Sequence, residues 1–502
     1  MDEEMDALIK NGTWKPIDCP EGPKVLRGRW VYKIKYHSDG RIARKKARWV
    51  VKGYEQLFGV DYDQTYASVA RTQSWKILMV LVALYDLELE QMDVVTAFLN
   101  GKTSGSIYIE LPDGYNNNNK GQVGLLQKGL YGLKQSPRLW QETLGTELQK
   151  LGFHPMVADN SIFITDQGVK GIILATYVDD FLIAGPDAKE INIFKGRLSR
   201  IFAMKDLGPC KTFLNIEVIR DRKARRIHLT QEHYAKKLLC TQGLEKAKLV
   251  STSMNISALP EMVPYTGQAS QDEIKHYQSD TGSLMYPATQ TRPDLCQTVS
   301  VLSRFNSNPS PAHRNALQRA IRYYGTTAKL GITYSAPGNS MPSELGFHGY
   351  SDSDYAGDVE TRRSTSGYIF YMGGGPISWN SRRQNAVTLS STEAEYYALT
   401  EASKEAIWLQ SFLDELGYAG SDLHPILLHG DNTGALDLAE NPAHHARTKH
   451  IQVRAHFIRE QVKNSTITLK YVPTAEMKAD GFTKPLPGPK HQSFLKQLGM
   501  VS

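Results

Sequence analysis

Two periodicities divide the first half of the chain. Trp30-Val31-Tyr32-Lys33-Ile34-Lys35-Tyr36 alternates apolar and basic positions, which predicts a half-buried strand closed by a turn at Asp39-Gly40. The strand that follows carries Arg41, Arg44, Lys45, Lys46, Arg48 and Lys52 with no acidic residue among them. Such a strand is either a solvated basic edge or a holder of phosphate oxygens. Trp75 to Leu87 has helical spacing and reads as core. It leads into a predicted strand ending at Asp93, then a turn and the apolar segment Val94 to Leu99. Leu111 to Gly124 is a loop containing the low-complexity run Asn116 to Asn119. A helix opens near Ser136, with Pro137 in its first turn.

The apolar, β-branched run from Ile172 to Gly185 is interrupted by Tyr177-Val178-Asp179-Asp180. Runs of this kind read as buried strands, and two unpaired carboxylates there cost several kcal/mol or change their pKa. Bound divalent cations would compensate them. A hairpin tip that carries two aspartates as turn residues is the alternative.

Beyond Gly185 the pattern turns helical from Ile191 to Phe202, basic from Arg220 to Arg226, and helical again from Gln231 to Leu239. Residues 251–272 are rich in Ser, Pro, Thr and Gly and read as a linker. Two helices are expected between Tyr277 and Gly325, interrupted at Thr291-Arg292-Pro293-Asp294 and Asn308-Pro309-Ser310-Pro311. A distinct α/β unit begins near Leu345. Its first strand, Gly346 to Ser351, ends in Asp352-Ser353-Asp354, with further strands at Ser366 to Met372 and Ile377 to Trp379. Ser390 and Glu393 form a capping-box signature for a helix carrying Glu395. The strand Pro425 to His429 ends at Asp431, Thr466 to Val472 is another strand, and a terminal helix contains Asp480.

The 502 residues suffice for three or four domains. With 41% hydrophobic and 22% charged residues the composition is that of an ordinary globular protein. No apolar run approaches the ~20 residues of a membrane span, and Met1-Asp2-Glu3-Glu4 does not read as a secretory leader. The net charge of +7 points weakly to a polyanionic partner. Cys19, Cys210, Cys240 and Cys296 never form a C-x-x-C pair, so neither a zinc site nor a disulfide framework is expected.

The chain resembles the reverse transcriptase plus RNase H region of copia-type LTR retrotransposon Pol polyproteins. The resemblance rests on Lys46-Ala47-Arg48 with Lys52-Gly53-Tyr54, Gln91-Met92-Asp93 with Thr96 to Gly101, Leu130 to Gln135, and Tyr177-Val178-Asp179-Asp180. It continues through Met204 to Gly208, Thr291 to Asp294, Arg363 to Tyr368, Ser390 to Tyr396, Arg447 to Ile451 and Ala479-Asp480. It implies an α+β architecture: a right-hand-like polymerase followed by an α/β RNase H-like domain with a five-stranded mixed sheet. Residues 1–185 would be fingers and palm, 186–250 a thumb-like region, 251–272 the linker, 273–344 a helical connection and 345–502 the RNase H-like domain.

The resemblance further implies that Asp93, Asp179 and Asp180 are the polymerase carboxylates. Asp352, Glu395, Asp431 and Asp480 would be those of the nuclease, with two Mg²⁺ or Mn²⁺ ions at each site. Asp354 and Asp358 compete with Asp352, and Glu393 with Glu395. Arg48 and Lys52 match residues that contact the incoming triphosphate. Phe98 matches an aromatic that crowds the sugar 2′-position, though it also reads as core. Gln135 belongs to a block that supports the template–nucleotide pair. One departure stands out: no histidine occurs between Val472 and Asp480, where cellular RNases H carry an assisting one. His444, His445, His450 and His456 are assigned no catalytic role.

The implied partners are an RNA template, a DNA primer or product, the RNA–DNA hybrid, dNTPs, a tRNA primer and the element's capsid protein. The implied location is the cytoplasm within virus-like particles, with nuclear entry alongside cDNA. The chain reads as a processed product, a fragment or a truncated copy. The competing reading is an inactive relic or a host-adopted protein that binds nucleic acid without turnover.

Overall fold

The computed structural model describes the chain except residues 37–40, 104, 114, 116–120, 336–344, 419, 441–451 and 502. The Asp39-Gly40 turn, the asparagine run, the Arg447 to Ile451 block and His444, His445 and His450 lie outside the described residues. The chain forms two compact units, one of residues 1–71 and 88–209, the other of residues 72–87 and 210–502.

In the first unit, strands Gly28–Tyr36 and Ile42–Val51 pair as an antiparallel ribbon. A four-stranded sheet runs in the order Trp14–Asp18, Gln122–Leu126, Tyr108–Ile109, Val25–Leu26. The central element is a six-stranded antiparallel sheet ordered Met204–Pro209, Glu88–Val94, Asp180–Gly185, Ile173–Tyr177, Ile162–Ile164, His154–Pro155. Strand side chains alternate between faces, and here Met92, Val94, Phe181, Ile183 and Leu174 share one core with two helices, Ser136–Lys150 and Ala188–Ile201. Asp187 caps the second helix, accepting the Lys189 N–H at 2.7 Å. The alternation therefore places Asp93 and Asp180 on the face turned away from these helices.

The second unit contains helix Thr72–Tyr85, which is apolar almost throughout and buried from Ser74 to Leu84. A helix apolar on all sides belongs inside a core. It packs on strands Arg226–Thr230, Gly331–Ser335 and Gly375–Arg383. An antiparallel sheet runs Thr212–Phe213, Ile216–Asp221, Arg226–Thr230, Gly331–Ser335, Met500–Val501. Three α-helices, not two, lie between 271 and 326: Gln271–Gln290, Cys296–Leu302 and Pro311–Thr326. Pro293 ends the first by opening a 3₁₀ turn, and Ser310-Pro311 starts the third as N-cap and first residue. Residues 251–272 are largely irregular but packed down, with Met254 buried and the Ser253 hydroxyl 2.7 Å from that of Thr298.

A second five-stranded sheet is ordered Gly375–Arg383, Thr365–Met372, His348–Asp354, Ile426–Gly430, Ile467–Tyr471. Its first three strands are antiparallel and the last two join in parallel. Helix Ser391–Glu415 packs across its centre. Ser390 caps that helix by accepting the Glu393 N–H, while the Glu393 carboxylate reaches back to Leu389 N–H, one residue short of a full capping box. The expected terminal helix around Asp480 is only Asp480–Thr483. Pro485 and Pro487 stop it, and the last helix is Gly488–Gln497.

The Thr291 to Asp294 block forms a buried lock. Arg292 and Asp294, side chains 1% and 0% exposed, pair bidentately at 2.9 and 2.7 Å. Arg292 also donates to the Thr327 carbonyl, and Tyr323 OH donates to Asp294.

Two candidate carboxylate sites

In the first unit, strand register puts Asp180 directly opposite Asp93, and Asp93 opposite Lys205 on its other side. Directly opposed residues share a face, with Cβ atoms ~4.5–5.5 Å apart, and like charges there repel. Asp179 occupies the turn. Val178 before it sits at φ 60°, a strained conformation for a β-branched residue that persists only when its surroundings enforce it. Two hydrogen bonds do so: Trp140 Nε1 donates to the Val178 carbonyl and the Val94 N–H to the Asp179 carbonyl, each at 2.8 Å. The hairpin tip is thus clamped from the helix below and from the strand bearing Asp93.

Tyr131 gathers the other predicted residues around this tip. The Arg48 guanidinium lies 4.5 Å above its ring and the Phe98 ring packs edge-on at 5.5 Å. Burial pushes the Tyr131 phenol up to about 12, against the pull of Arg48 and with a contribution from Asp179. The basic ribbon is seated here by close backbone approach. Val51 N–H donates to the Tyr131 carbonyl, and Gly132, at φ 93°, lies so near Val51 that a Cβ would fall 2.0 Å from its carbonyl oxygen. Lys52 follows this seat, its N–H bonded to the Arg27 carbonyl. Gln135 is buried with its amide spent on Gln56 and the Asp61 carbonyl, both at 3.0 Å, so it braces the 56–61 loop. Lys195 ties Glu90 to Asp206 at 2.9 and 2.6 Å, holding the edge strand that carries Lys205.

The second unit holds a tighter cluster. Ligand oxygens of Asp352, Glu395 and Asp431 lie within 4.8 Å of one another, the only such acidic group among the described residues. The Asp93, Asp179 and Asp180 carboxylates are not drawn that close. Asp352 lies within strand His348–Asp354, two residues before its end, Glu395 lies in the first turns of its helix, and Asp431 follows strand Ile426–Gly430. Asp480 stands beside the trio, paired with Lys484 at 2.5 Å. Burial, with Asp480 and Asp431 adding repulsion, raises Asp352 to about 7, and burial with Asp352 and Asp431 raises Glu395 to about 9. Asp358 takes a different role. Despite its burial it is held down to about 2 by Thr361 and Arg383, and it also pairs with Arg304 at 2.8 Å. Asp354 lies outside the trio, its carboxyl raised by burial.

Sequence reasoning missed the residues that aim these acids. Thr483 Oγ1 donates to Asp352 Oδ2 at 2.5 Å, Thr474 Oγ1 to Asp431 Oδ2 at 2.7 Å, and Ser353 N–H to Glu395 Oε1 at 3.1 Å. Thr483 follows Asp480 by three residues in one helical turn, a spacing that was visible. Three converging carboxylates, Asp352 buried and Asp431 partly open to solvent, with no nitrogen or sulfur donor among them, suit a hard divalent cation such as Mg²⁺ or Mn²⁺.

Two raised carboxyls set a pH dependence. Because the folded state keeps protons that the unfolded chain has lost, stability falls as pH rises from the ordinary carboxyl range, ~4, through about 7 and about 9. A divalent ion must displace those protons. The apparent melting temperature in EDTA is therefore expected to fall between pH 6 and 9, and the gain on adding Mn²⁺ to grow over the same window. Glu395→Gln should flatten both trends; a Mn²⁺ gain independent of pH would contradict the coupling.

Residues 11–256 match the family described as reverse transcriptase (RNA-dependent DNA polymerase). Over its full length the chain is 40% identical to the retrovirus-related Pol polyprotein from transposon TNT 1-94 of Nicotiana tabacum, covering 38% of that protein. It is 38% identical to that from transposon RE2 of Arabidopsis thaliana, covering 34%. The chain thus spans little more than a third of these relatives. Across 62% of its length it is 33% identical to all of the putative transposon Ty5-1 protein YCL074W of Saccharomyces cerevisiae. The solved RNase H1 of Halobacterium salinarum NRC-1 aligns over 27% of the chain and 93% of its own, at 18% identity and a TM-score of 0.21. On this full-length similarity, the chain belongs to the reverse transcriptase family of copia-type retrotransposon Pol polyproteins.

Proposed function

We propose that the protein is an RNA-directed DNA polymerase joined to a ribonuclease H, copying element RNA into cDNA and hydrolysing the RNA strand of the resulting hybrid. The observation that carries the first half is the register that opposes Asp93 to Asp180 beneath the clamped Asp179 turn. The second half rests on the Asp352, Glu395 and Asp431 cluster on a mixed five-stranded sheet. In this reading residues 1–185 act as fingers and palm, 186–250 as a thumb-like region, 273–344 as a connection behind the 251–272 segment, and 345–502 as the RNase H-like domain. The RNA template, primer, dNTPs and hybrid are its substrates. A tRNA primer, the capsid protein and a virus-like particle are its setting. No helix among the described residues is long and apolar enough to cross a membrane.

Asp93, Asp179 and Asp180 would hold the ions of the polymerase, and Asp352, Glu395, Asp431 and Asp480 those of the nuclease. When bound, such ions activate the attacking oxygen and stabilise the leaving one. Arg48, steadied on Tyr131, and Lys52 offer positive charge to the triphosphate. Thr483, Thr474 and the Ser353 amide keep the nuclease carboxylates aimed, and Lys484 neutralises Asp480 until substrate and ions arrive.

In this reading Phe98, packed edge-on against Tyr131, is the aromatic that crowds the sugar 2′-position. Phe98→Ala is expected to raise ribonucleotide incorporation by at least about tenfold, the effect of ~1.4 kcal/mol of relieved clash, with dNTP use largely kept. Gel-resolved extension with rNTPs reads this, and unchanged discrimination would remove Phe98 from the role.

Purified protein should extend a DNA primer on an RNA template with Mg²⁺ or Mn²⁺ and cleave a labelled hybrid. Binding of either substrate without turnover would defeat the reading in favour of a nucleic-acid-binding relic.

A further inference from the structure

Away from both acid sites, the second unit contains a half-open cavity of about 390 Å³ whose walls all come from that unit. The volume lies in the range of small-ligand sites, ~300–1,000 Å³. Helices Thr72–Tyr85, Gln271–Gln290 and Cys296–Leu302 and strand Gly375–Arg383 contribute the lining. Its chemistry is one-sided. Lys76 and Arg382 are present with hydroxyls from Thr72, Thr289, Ser300 and Ser381, and no carboxylate lines it.

Lys76 is the unusual member. It is 1% exposed, and lysines are almost never fully buried without a partner. Among the described residues no carboxylate lies within ion-pair distance of it. Its ammonium meets the Thr289 carbonyl at 3.3 Å, the face of Trp379 at 3.5 Å from the ring centroid and, farther off, the Trp75 ring at 5.9 Å. One hydrogen bond leaves part of its three-donor capacity unspent. Ser381 lines the same cavity, and its buried hydroxyl has no hydrogen-bond partner. A buried cation and an orphaned hydroxyl facing one space, with a second cation at the rim, form the donor set that a phosphate needs. Met285, Ala288, Ile377 and Trp379 add apolar surface to the lining.

We propose that this cavity binds a phosphomonoester with a flat, apolar body, a nucleoside monophosphate being the simplest, with its phosphate on Lys76, Ser381 and Arg382. The site lies outside both carboxylate centres and does not depend on either being active. Burial drives the Lys76 ammonium well below its ordinary value in the empty cavity, and an anion held beside it opposes that shift.

The test is calorimetric titration of AMP into the full chain in EDTA, which silences binding that requires divalent ions. One site is expected. Lys76→Met should weaken AMP about tenfold or more, the worth of a charge-assisted hydrogen bond, while keeping the melting temperature, since an apolar chain of similar length fills the buried position. Ser381→Ala should weaken AMP several-fold and serves if Lys76→Met does not fold. Inorganic phosphate should compete and adenosine should not. Displacement of AMP by an RNA–DNA hybrid would assign the phosphate to a bound strand, and no displacement to a free nucleotide. Equal AMP affinity in wild type and both variants, or no binding at millimolar AMP, overturns the proposal.

Discussion

Asp179→Asn is expected to abolish primer extension while leaving hybrid cleavage at the wild-type rate. Asp179 stands at the tip of a turn whose strain is held by Trp140 and Val94, and it immediately precedes Asp180, which the register sets opposite Asp93. Asparagine preserves shape and turn preference but removes the charge. Weakening one carboxylate ligand forfeits several kcal/mol of charge stabilisation, and ~4 kcal/mol corresponds to about a thousandfold in rate. The turn's hydrogen bonds are made by backbone carbonyls, which the substitution leaves in place, so the fold should persist. Steady-state extension on an RNA template measures the loss. A variant retaining a tenth or more of wild-type extension would show that Asp179 is not a ligand.

The largest expected effect on stability belongs to Arg292→Met. Its partner Asp294 is fully buried, and burial alone would raise that carboxyl; Arg292 and Tyr323 hold it down instead. Breaking such a pair strands a buried charge and costs ~3–5 kcal/mol. For a unit of this size the loss should appear as a drop in apparent melting temperature on the order of 10 °C. Arg292→Met combined with Asp294→Leu should recover much of it, because no charge is then left unpaired. Thermal unfolding of the single and double variants decides the matter. A double variant as unstable as the single would mean that shape, not charge, is what the pair supplies.

How much of this was legible in the chain differs from residue to residue. The hairpin from Ile172 to Gly185 and the strand ending at Asp93 were readable because apolar alternation reports which face is buried. Their mutual register was not, since it depends on pairing Asp180 with Asp93, far apart in the chain. Helix Thr72–Tyr85 was recognisable as core, yet the core it joins belongs to the second unit, a choice that local sequence does not encode. Thr291 to Asp294 was readable as an interruption of helix; that its two charges neutralise each other inside the protein depended on how Thr327 and Tyr323 came to surround them. In the cluster of Asp352, Glu395 and Asp431 the strand and helix-start positions of the acids followed from pattern. That Asp358 is spent on Arg304 and Arg383, and Glu393 on the Leu389 amide, depends on partners that local sequence does not announce. Thr483, Thr474 and Tyr131 escaped notice because hydroxyl and ring orientations are set by tertiary packing.

The central claim is that one chain carries two separable carboxylate centres, one building a DNA strand and one removing its template. Extension and hybrid cleavage measured side by side on wild type, Asp179→Asn and Asp431→Asn test it most directly. The account predicts that wild type does both, Asp179→Asn only cleaves, and Asp431→Asn only extends. Loss of both activities in either variant that still melts as wild type does would contradict it.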